Sequence, residues 1–590
     1  MSVIQITSDT ILDDVEHHFR VSAGPGAGKT HWLVEHIKNV LHKSERLAKT
    51  KKIACITYTN IAVETILSRL GTSAEHVEVS TIHSFLYKHI IKPYASFISD
   101  EYELNIKKLD GHEDQPVSLK KIIAWIEKHP NSPQLKHPYS ICQLIKLENN
   151  KNALISWLGS LVYKINIHGS IEIKSDRTKA FYFEGRRKYL NKNCLDLLET
   201  DFLNYKKLYW SQGKLHHDDV LFFSYQIVQK YPFALDILRA KFPYFFIDEF
   251  QDCNPIQVEL LKLLGQEETT IGIIGDKSQS IYGFQGAEPS QFHTFNLYGM
   301  RDYQMSDNRR STNEIISILN IIRTDIIQNP FRGVSLLQPQ ILVGERIAAL
   351  QSAVLICGEE PVYSLSRQNV TSNAMKMHIG GPVLNGLFEV LKNVDSNRER
   401  CMFIIACIKA VELARENKFK DSIKELERFY SDKNDKLEGK RISLMHIMSL
   451  FNGYNEFKSG SLLDFAAFAK LHININLTKV TGGAIKTFYE NHSYQQLALC
   501  VKIPEDLSLH KTIHKSKGDE FENVLLILKG EADLNFILNP DINSNSKAAE
   551  EQRINYVAAS RAINRLFISI PSLTILNQTL LQPNFQISNV

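Results

Sequence analysis

Apolar positions along this chain follow two rhythms. Residues 19–22 form a short apolar, β-prone run that breaks into a glycine-rich stretch, and residues 31–42 then repeat apolar positions at helical spacing. The pattern predicts a strand, a tight loop and a helix in succession. A second run, Tyr244–Ile247, is apolar throughout and stops at Asp248 and Glu249, which predicts a buried strand ending in an acidic loop. Residues 404–430 are amphipathic at helical spacing. No apolar run approaches the ~20 residues of a membrane span, and no self-similar period of about 20–50 residues emerges. The pattern therefore predicts neither a membrane anchor nor a solenoid.

Length and composition narrow this little further. A chain of 590 residues is too long for one core and divides into roughly three to five packed units. With 43% hydrophobic and 23% charged residues it is an ordinary globular composition. The formal charge is only +4, so a polyanionic partner must meet a local basic patch. The eight cysteines (Cys55, Cys142, Cys194, Cys253, Cys357, Cys401, Cys407, Cys500) form no C-x-x-C pair and follow no secretory leader, which points to a reducing, cytoplasmic setting.

The chemistry lies in the two strand-ending loops. Ala23-Gly24-Pro25-Gly26-Ala27-Gly28-Lys29-Thr30 sits between the predicted strand and helix. Gly24, Gly26 and Gly28 let backbone N–H groups curl around phosphate oxygens, Lys29 reaches the β and γ phosphates, and Thr30 is placed for Mg²⁺. The strict pattern has Gly where Ala23 stands. Asp248 is suited to hold Mg²⁺ and Glu249 to polarise an attacking water. ATP and Mg²⁺ are the cofactors this pair of elements calls for.

With Asp248-Glu249-Phe250-Gln251-Asp252 the sequence resembles superfamily 1A helicases of the UvrD, Rep and PcrA type, whose second motif reads D-E-F-Q-D, and further matches follow in the family's order. Thr57-Tyr58-Thr59-Asn60 resembles motif Ia, in which short polar side chains meet the DNA backbone; Thr57 and Asn60 suit phosphate and Tyr58 offers a face to a base, although Thr59 or Asn60 also reads as a helix cap. Thr81-Ile82-His83-Ser84-Phe85 is similar to motif Ib, whose Thr and His touch the strand. His217-Asp218-Asp219-Val220-Leu221 resembles the element before motif II. The run of residues 216–219 also suggests metal ligands, but adjacent residues do not all converge on one ion without a loop, and no metal site is read there.

Residues 275–287 resemble motif III: Gln279 would sense the γ-phosphate, and Tyr282 and Phe284 would link that sensor to DNA, with Phe284 stacking on a base and Tyr282 equally readable as core. Gln285 replaces the family's usual Arg. Asn308-Arg309-Arg310-Ser311-Thr312 resembles motif IV, with Arg310 as the γ-phosphate arginine and Arg309 in the place of the aromatic that stacks on adenine. Residues 365–369 match the following element loosely. Thr512, His514 and Glu520 fall in a stretch similar to motif V, T-x-H-x-x-K-G-x-E; the resemblance puts Thr512 and His514 at DNA and Glu520 near the nucleotide sugar. His510 and His514 are four apart, yet Gly518 and the strand-like flanks favour a strand-to-loop turn over a helical metal pair. Residues 551–562 resemble motif VI, whose helical period directs Arg561 towards the cleft as an arginine finger. Gln5 reads better as an exposed terminal residue than as an adenine-reading glutamine.

The resemblance implies an α/β chain with two RecA-like P-loop motor domains, parallel sheets flanked by helices, each interrupted by a largely helical accessory insertion. The motif positions assign residues 1–95 and 212–300 to motor domain 1A, 96–211 to accessory domain 1B, 301–375 and 501–590 to motor domain 2A, and 376–500 to accessory domain 2B, with hinges near Gly380-Gly381-Pro382 and Gly482-Gly483. The implied activity is ATP-dependent translocation on single-stranded DNA or at single-strand/duplex junctions, 3′-to-5′ by resemblance. A nucleotide-gated DNA sensor or regulatory subunit without unwinding is the competing class. Only 28 residues follow Ala562, which disfavours a fused nuclease. Absence of such an extension also resembles the helicase subunits of Gabija-type phage-defence systems, which act with a separate nuclease. A DNA-repair role fits the same motifs.

Overall fold

The computed structural model describes residues 3–47, 49–114, 118–136, 158–159, 161–175, 180–183, 186–189, 192–283, 286–430, 436–504 and 508–590. Two wholly parallel sheets organise it. The first has seven strands in the order Ile4–Gln5, Arg301–Met305, Phe19–Ala23, Thr270–Gly275, Tyr244–Ile247, Ile53–Thr57 and Val77–Thr81. Its central strands are buried on both faces, which is why they read as unbroken apolar runs rather than alternating ones. Phe19 packs so close to Gly272 opposite it that a Cβ there would lie 2.1 Å from the ring. One core lies on each side of this sheet, one around Trp32, Ile37 and Val21, the other around Phe85, Phe223 and Phe245.

The second sheet has six strands in the order His510–Thr512, Val362–Ser366, Phe521–Ile527, Ala562–Ile570, Gln340–Val343 and Gln586–Asn589. Helices Asn313–Ile322 and Lys547–Ala559 join its core on one face, and Arg346–Cys357 covers the other. Both sheets carry helices on both faces, so the fold is α/β.

Two further segments leave the sheets. Among the described residues, those of 387–430 and 436–503 form a helical unit with its own core, led by the almost fully buried helix Arg398–Arg415. Between Val77–Thr81 and Tyr244–Ile247 the chain makes helices Leu119–Lys128 and Lys192–Trp210, and it adds two antiparallel hairpins, Leu161–Ile165 with Ile171–Ser175 and Ala180–Phe183 with Arg186–Tyr189. Among the described residues no helix is long and apolar enough to cross a membrane.

Candidate functional site

In a parallel sheet with helical crossovers, loops leaving the carboxyl ends of the strands share one rim, where ligands of such folds sit. On the first sheet that rim collects residues 24–30 after Phe19–Ala23, Tyr58 after Ile53–Thr57, His83 beyond Val77–Thr81, Asp248 and Glu249 after Tyr244–Ile247, and Gln279 and Tyr282 beyond Thr270–Gly275.

The glycine-rich loop runs directly into helix Lys29–Lys43, with Gly28 as its N-cap at φ 83°. Gly26 is also left-handed, at φ 71°, and a Cβ there would stand 2.4 Å from Asn308 Oδ1, so the position is closed to side chains by conformation and by space. Lys29 Nζ donates to its own loop's carbonyls, Ala23 O and Gly24 O, at 3.4 Å each. Thr30 Oγ1 donates to Asp248 Oδ2 at 3.3 Å. Burial lowers the Lys29 ammonium pKa, while Glu249, Asp276 and Asp248 support its charge.

Asp248 and Glu249 have opposite electrostatics. Burial, reinforced by the adjacent Glu249 charge, pushes Asp248 up to about 7. Burial acts on Glu249 too, but Lys517, Lys29 and the Gln251 amide outweigh it and hold Glu249 below its usual range. Glu249 has a left-handed backbone at φ 56°, a strained conformation for a non-glycine residue, and the Gln251 amide donates to its carboxylate. The raised carboxyl of buried Asp248 marks a place short of positive charge. Thr30 and Asp248 are hard oxygen donors of the kind Mg²⁺ takes, so the residues fit that ion.

The second sheet meets this rim through arginines. Arg561 Nη2 donates to Gln279 Oε1 at 2.7 Å, and Gln279 Nε2 donates to Asp276 Oδ2 at 2.7 Å. Arg561 is buried, its pKa lowered to about 10 by burial and by Arg310. It does not project from a helix as its period suggested: helix Lys547–Ala559 ends with Ser560 as C-cap, and Arg561 occupies the turn into Ala562–Ile570, where its Nε donates to Val557 O at 3.2 Å. Arg310 pairs with Glu520 at 2.6 Å and donates to Ser560 O at 2.9 Å. Arg309 donates its backbone N–H to Gly26 O at 2.9 Å; its guanidinium lies 3.9 Å over the Phe331 ring and pairs with Asp9 at 2.5 Å. Lys29, Thr30, Asp248, Glu249, Gln279, Arg310 and Arg561 thus line one cleft, with Glu520 on its margin and Arg309 against the loop.

Several cleft residues carry no role in the sequence reading. Lys517, within the quoted motif V stretch, forms a buried ion pair with Asp252, lies 3.8 Å from Glu249 and donates to Gln279 O at 3.1 Å. Gln251, within D-E-F-Q-D, accepts from Asp276 N at 2.9 Å while its amide holds Glu249. Arg323 carries no sequence signal: fully buried, it pairs with Asp276 at 2.7 Å. Arg553 Nε donates to Ser280 O at 2.8 Å.

The residues matched to DNA-contacting motifs divide. Tyr58 stacks on Tyr282 with centroids 4.5 Å apart, and the Tyr282 hydroxyl donates to His514 O at 3.5 Å, so three of them touch across the cleft. Tyr282 is nevertheless buried. Asn60 is exposed at the first turn of helix Asn60–Leu70, whose cap is Thr59, accepting from Ala62 N at 3.2 Å. Thr81 caps the next helix by accepting from Ser84 N at 3.4 Å, and His83 lies within that helix. Thr57 and Thr512 are buried, and Thr57 Oγ1 has no hydrogen-bond partner, so neither offers a surface donor in this conformation. Phe284 and Gln285 lie outside the described residues. Gln5 is exposed and accepts from Ser306 Oγ at 3.2 Å.

His216, Asp218 and Asp219 do converge, with ligand atoms within 4.8 Å of one another, because helix His217–Lys230 starts between them. The cation there is Lys206, whose Nζ lies 3.0 Å from Asp218 and 2.9 Å from Asp219.

Residues 7–297 match the family model of the UvrD/REP helicase N-terminal domain. Gabija protein GajB of Bacillus cereus (strain HuB5-5) is 28% identical over 340 residues, which cover 52% of this chain and 47% of that protein. ATP-dependent DNA helicase PcrA of Staphylococcus aureus is 25% identical over 319 residues, covering 52% of this chain and 38% of the helicase. ATP-dependent DNA helicase srs2 of Schizosaccharomyces pombe is 27% identical over 330 residues, 52% of this chain and 33% of that protein. In each case the chain spans less than half the length of its relative. By the family match over residues 7–297 and by these relatives, the chain is similar to helicases of the UvrD/PcrA type.

Proposed function

We propose that the protein is an ATP-dependent translocase and helicase on single-stranded DNA. The observation that carries this reading is the Arg561–Gln279 hydrogen bond across the cleft, beside Lys29, Asp248 and Glu249. In this reading residues 1–95 with 212–300 and residues 301–375 with 501–590 are the two motor domains, and 96–211 and 376–500 are accessory insertions. ATP binds with its phosphates on the loop of Gly24, Gly26 and Gly28, where Lys29 exchanges the carbonyls of its own loop for phosphate oxygens. Mg²⁺, held by Thr30 and Asp248, would neutralise charge on those oxygens. Glu249, kept ionised by Lys517, orients and polarises the attacking water, and Gln279 reports the γ-phosphate.

Arg310 and Arg561 complete the site from the second sheet. Arginines acting in this way contribute about 10³–10⁵ in rate, so opening the cleft stops hydrolysis. Tyr58, Tyr282 and His514 span the same interface, and its movement would be transmitted to a base stacked on Tyr58 or Phe284; base stacking of about 1–3 kcal/mol tolerates any sequence. Thr81, His83 and Asn60 take phosphates along the rim. The 3′-to-5′ direction is carried over from the resemblance of the motifs. The likeness to the Gabija protein favours action beside a separate nuclease in phage defence; the likeness to PcrA equally suits DNA repair.

The test is strand separation of a forked duplex with ATP and Mg²⁺, alongside DNA-stimulated phosphate release. Hydrolysis with strand separation supports a helicase. Hydrolysis or DNA binding without separation on any fork would replace it with a nucleotide-gated sensor, and absence of both would reject the motor reading.

A further inference from the structure

Three imidazoles meet at the far end of the first sheet's rim. His83 follows strand Val77–Thr81, His112 comes from the loop after the turn Ile106–Lys108, and His217 opens helix His217–Lys230. Their ring centroids are 6.1 Å (His83–His112), 5.6 Å (His83–His217) and 4.9 Å (His112–His217) apart. His112 Nδ1 and His217 Nδ1 are 2.9 Å from each other. The other groups facing them are Asp114, whose Oδ1 accepts the backbone N–H of His217 at 3.3 Å, Glu113, and Tyr87, whose ring lies 5.5 Å from His112. Next to the cluster, Lys206 is shared by Asp218 and Asp219, and His216 Nδ1 lies 3.1 Å from Asp219.

A contact between two Nδ1 atoms fixes the pair's proton inventory. In the neutral pair one ring donates Nδ1–H and the other accepts. The donor's Nε2 is then a bare lone pair, whereas the acceptor's Nε2 carries hydrogen. One added proton goes to that bare Nε2, and both outward Nε2 atoms become N–H donors on a cationic pair. Nothing else changes: no bond is broken and one solvent proton is consumed. Burial, helped by His217 and His112, lowers His83 to about 4, and burial followed by His217 lowers His112, so these two rings resist charging.

We infer that His112 and His217 form a proton-linked phosphodiester subsite that extends the DNA track beyond His83. This rests on the reading above, in which DNA follows the strand-end rim. The position suits a phosphate because the ring pair continues the row of strand-end groups, and His217 is exposed.

Affinity for a fluorescent oligo-dT, measured by anisotropy without nucleotide between about pH 6 and pH 8.5, tests this. Uptake of one proton makes wild-type affinity fall by up to about tenfold per pH unit across the titration. The double variant H112Q/H217Q is expected to bind weakly with no such slope. His217→Lys, a fixed cation at an exposed site, is expected to bind at about pH 8 as tightly as wild type does at about pH 6, with a flattened slope. Matching melting curves show that each variant is folded. A flat wild-type profile, a wild-type slope retained in H112Q/H217Q, or a Lys variant no tighter than wild type at high pH overturns the subsite. Absence of wild-type binding at every pH overturns the DNA reading itself, a different result.

Discussion

Arg561 and Gln279, 282 residues apart in sequence, are joined by a 2.7 Å hydrogen bond from guanidinium to side-chain carbonyl. The bond links the turn before Ala562–Ile570 to the loop after Thr270–Gly275, and so binds one sheet to the other. Arg561→Ala should leave nucleotide affinity within a few-fold of wild type and lower DNA-stimulated turnover by about 10³ or more. Nucleotide binding by calorimetry beside steady-state phosphate release separates the two; wild-type turnover would remove Arg561 from the catalytic set.

Lys29→Ala deletes the loop cation that the proposed function brings to phosphate, and ATP turnover should fall to background while the fold survives. Circular dichroism and phosphate release check this together. Normal hydrolysis would show that the loop does not hold the reacting phosphates.

Lys517 is the counter-charge of Asp252 and supports the ionised form of Glu249. Lys517→Met should destabilise the protein by about 3–5 kcal/mol, because it leaves Asp252 buried without its counter-charge. K517M/D252N should recover much of that loss in chemical denaturation. Activity should stay low in both, since Glu249 would have lost its main cationic support. Equal stability of K517M and wild type would show the pair to be incidental.

The pH dependence has a definite sign. Burial raises Asp248 from 3.8 to about 7 and Asp252 from 3.8 to about 6, so between those values the folded state binds more protons than the unfolded one. These two groups therefore make stability decline as pH rises from about 4 to about 7. The depressed Glu249 acts oppositely, but only below its ordinary value of 4.5. Mg²⁺ binds ionised carboxylates, so its effect on Tm should be larger at about pH 8 than at about pH 5.5. An equal shift at both would place the ion away from Asp248.

Gly26→Ala should cost about 1 kcal/mol for the left-handed backbone alone. It should cost more through the Cβ driven onto Asn308 Oδ1. Ala is therefore expected to hold the cleft apart, lowering turnover more than nucleotide binding. A variant with wild-type turnover would show that this approach of Asn308 to the loop is dispensable.

What the sequence made legible follows from how far each signal reaches along the chain. The phosphate loop is local: a strand, three glycines, Lys29 and Thr30 lie in one short stretch, and the structure turns there as the pattern dictates. Asp248 and Glu249 were marked by the apolar strand that ends at them. Lys517–Asp252 and Arg323–Asp276 join residues with no shared periodicity, and Arg323 sits in a segment whose pattern says only that a helix is ending. Arg561 was visible as a residue but not as a geometry, because extending the helical period past Ser560 assumes a helix that the C-cap has already stopped. Thr57 shows the reverse error: a short polar side chain looks like a surface donor, yet the closed strand end buries it.

Asp276 gives the fold a fulcrum. One oxygen takes the Gln279 amide, the other takes the Ser278 N–H and lies against the Arg323 guanidinium, which follows helix Asn313–Ile322 of the second core. Gln279 therefore cannot swing without loading the carboxylate on which Arg323 rests. The carboxylate thus ties the Gln279 loop to the segment after helix Asn313–Ile322 through buried groups rather than through a flexible loop. Under the proposed function, strain pulled through the second sheet by a resisting strand would reach Gln279 along the same contacts.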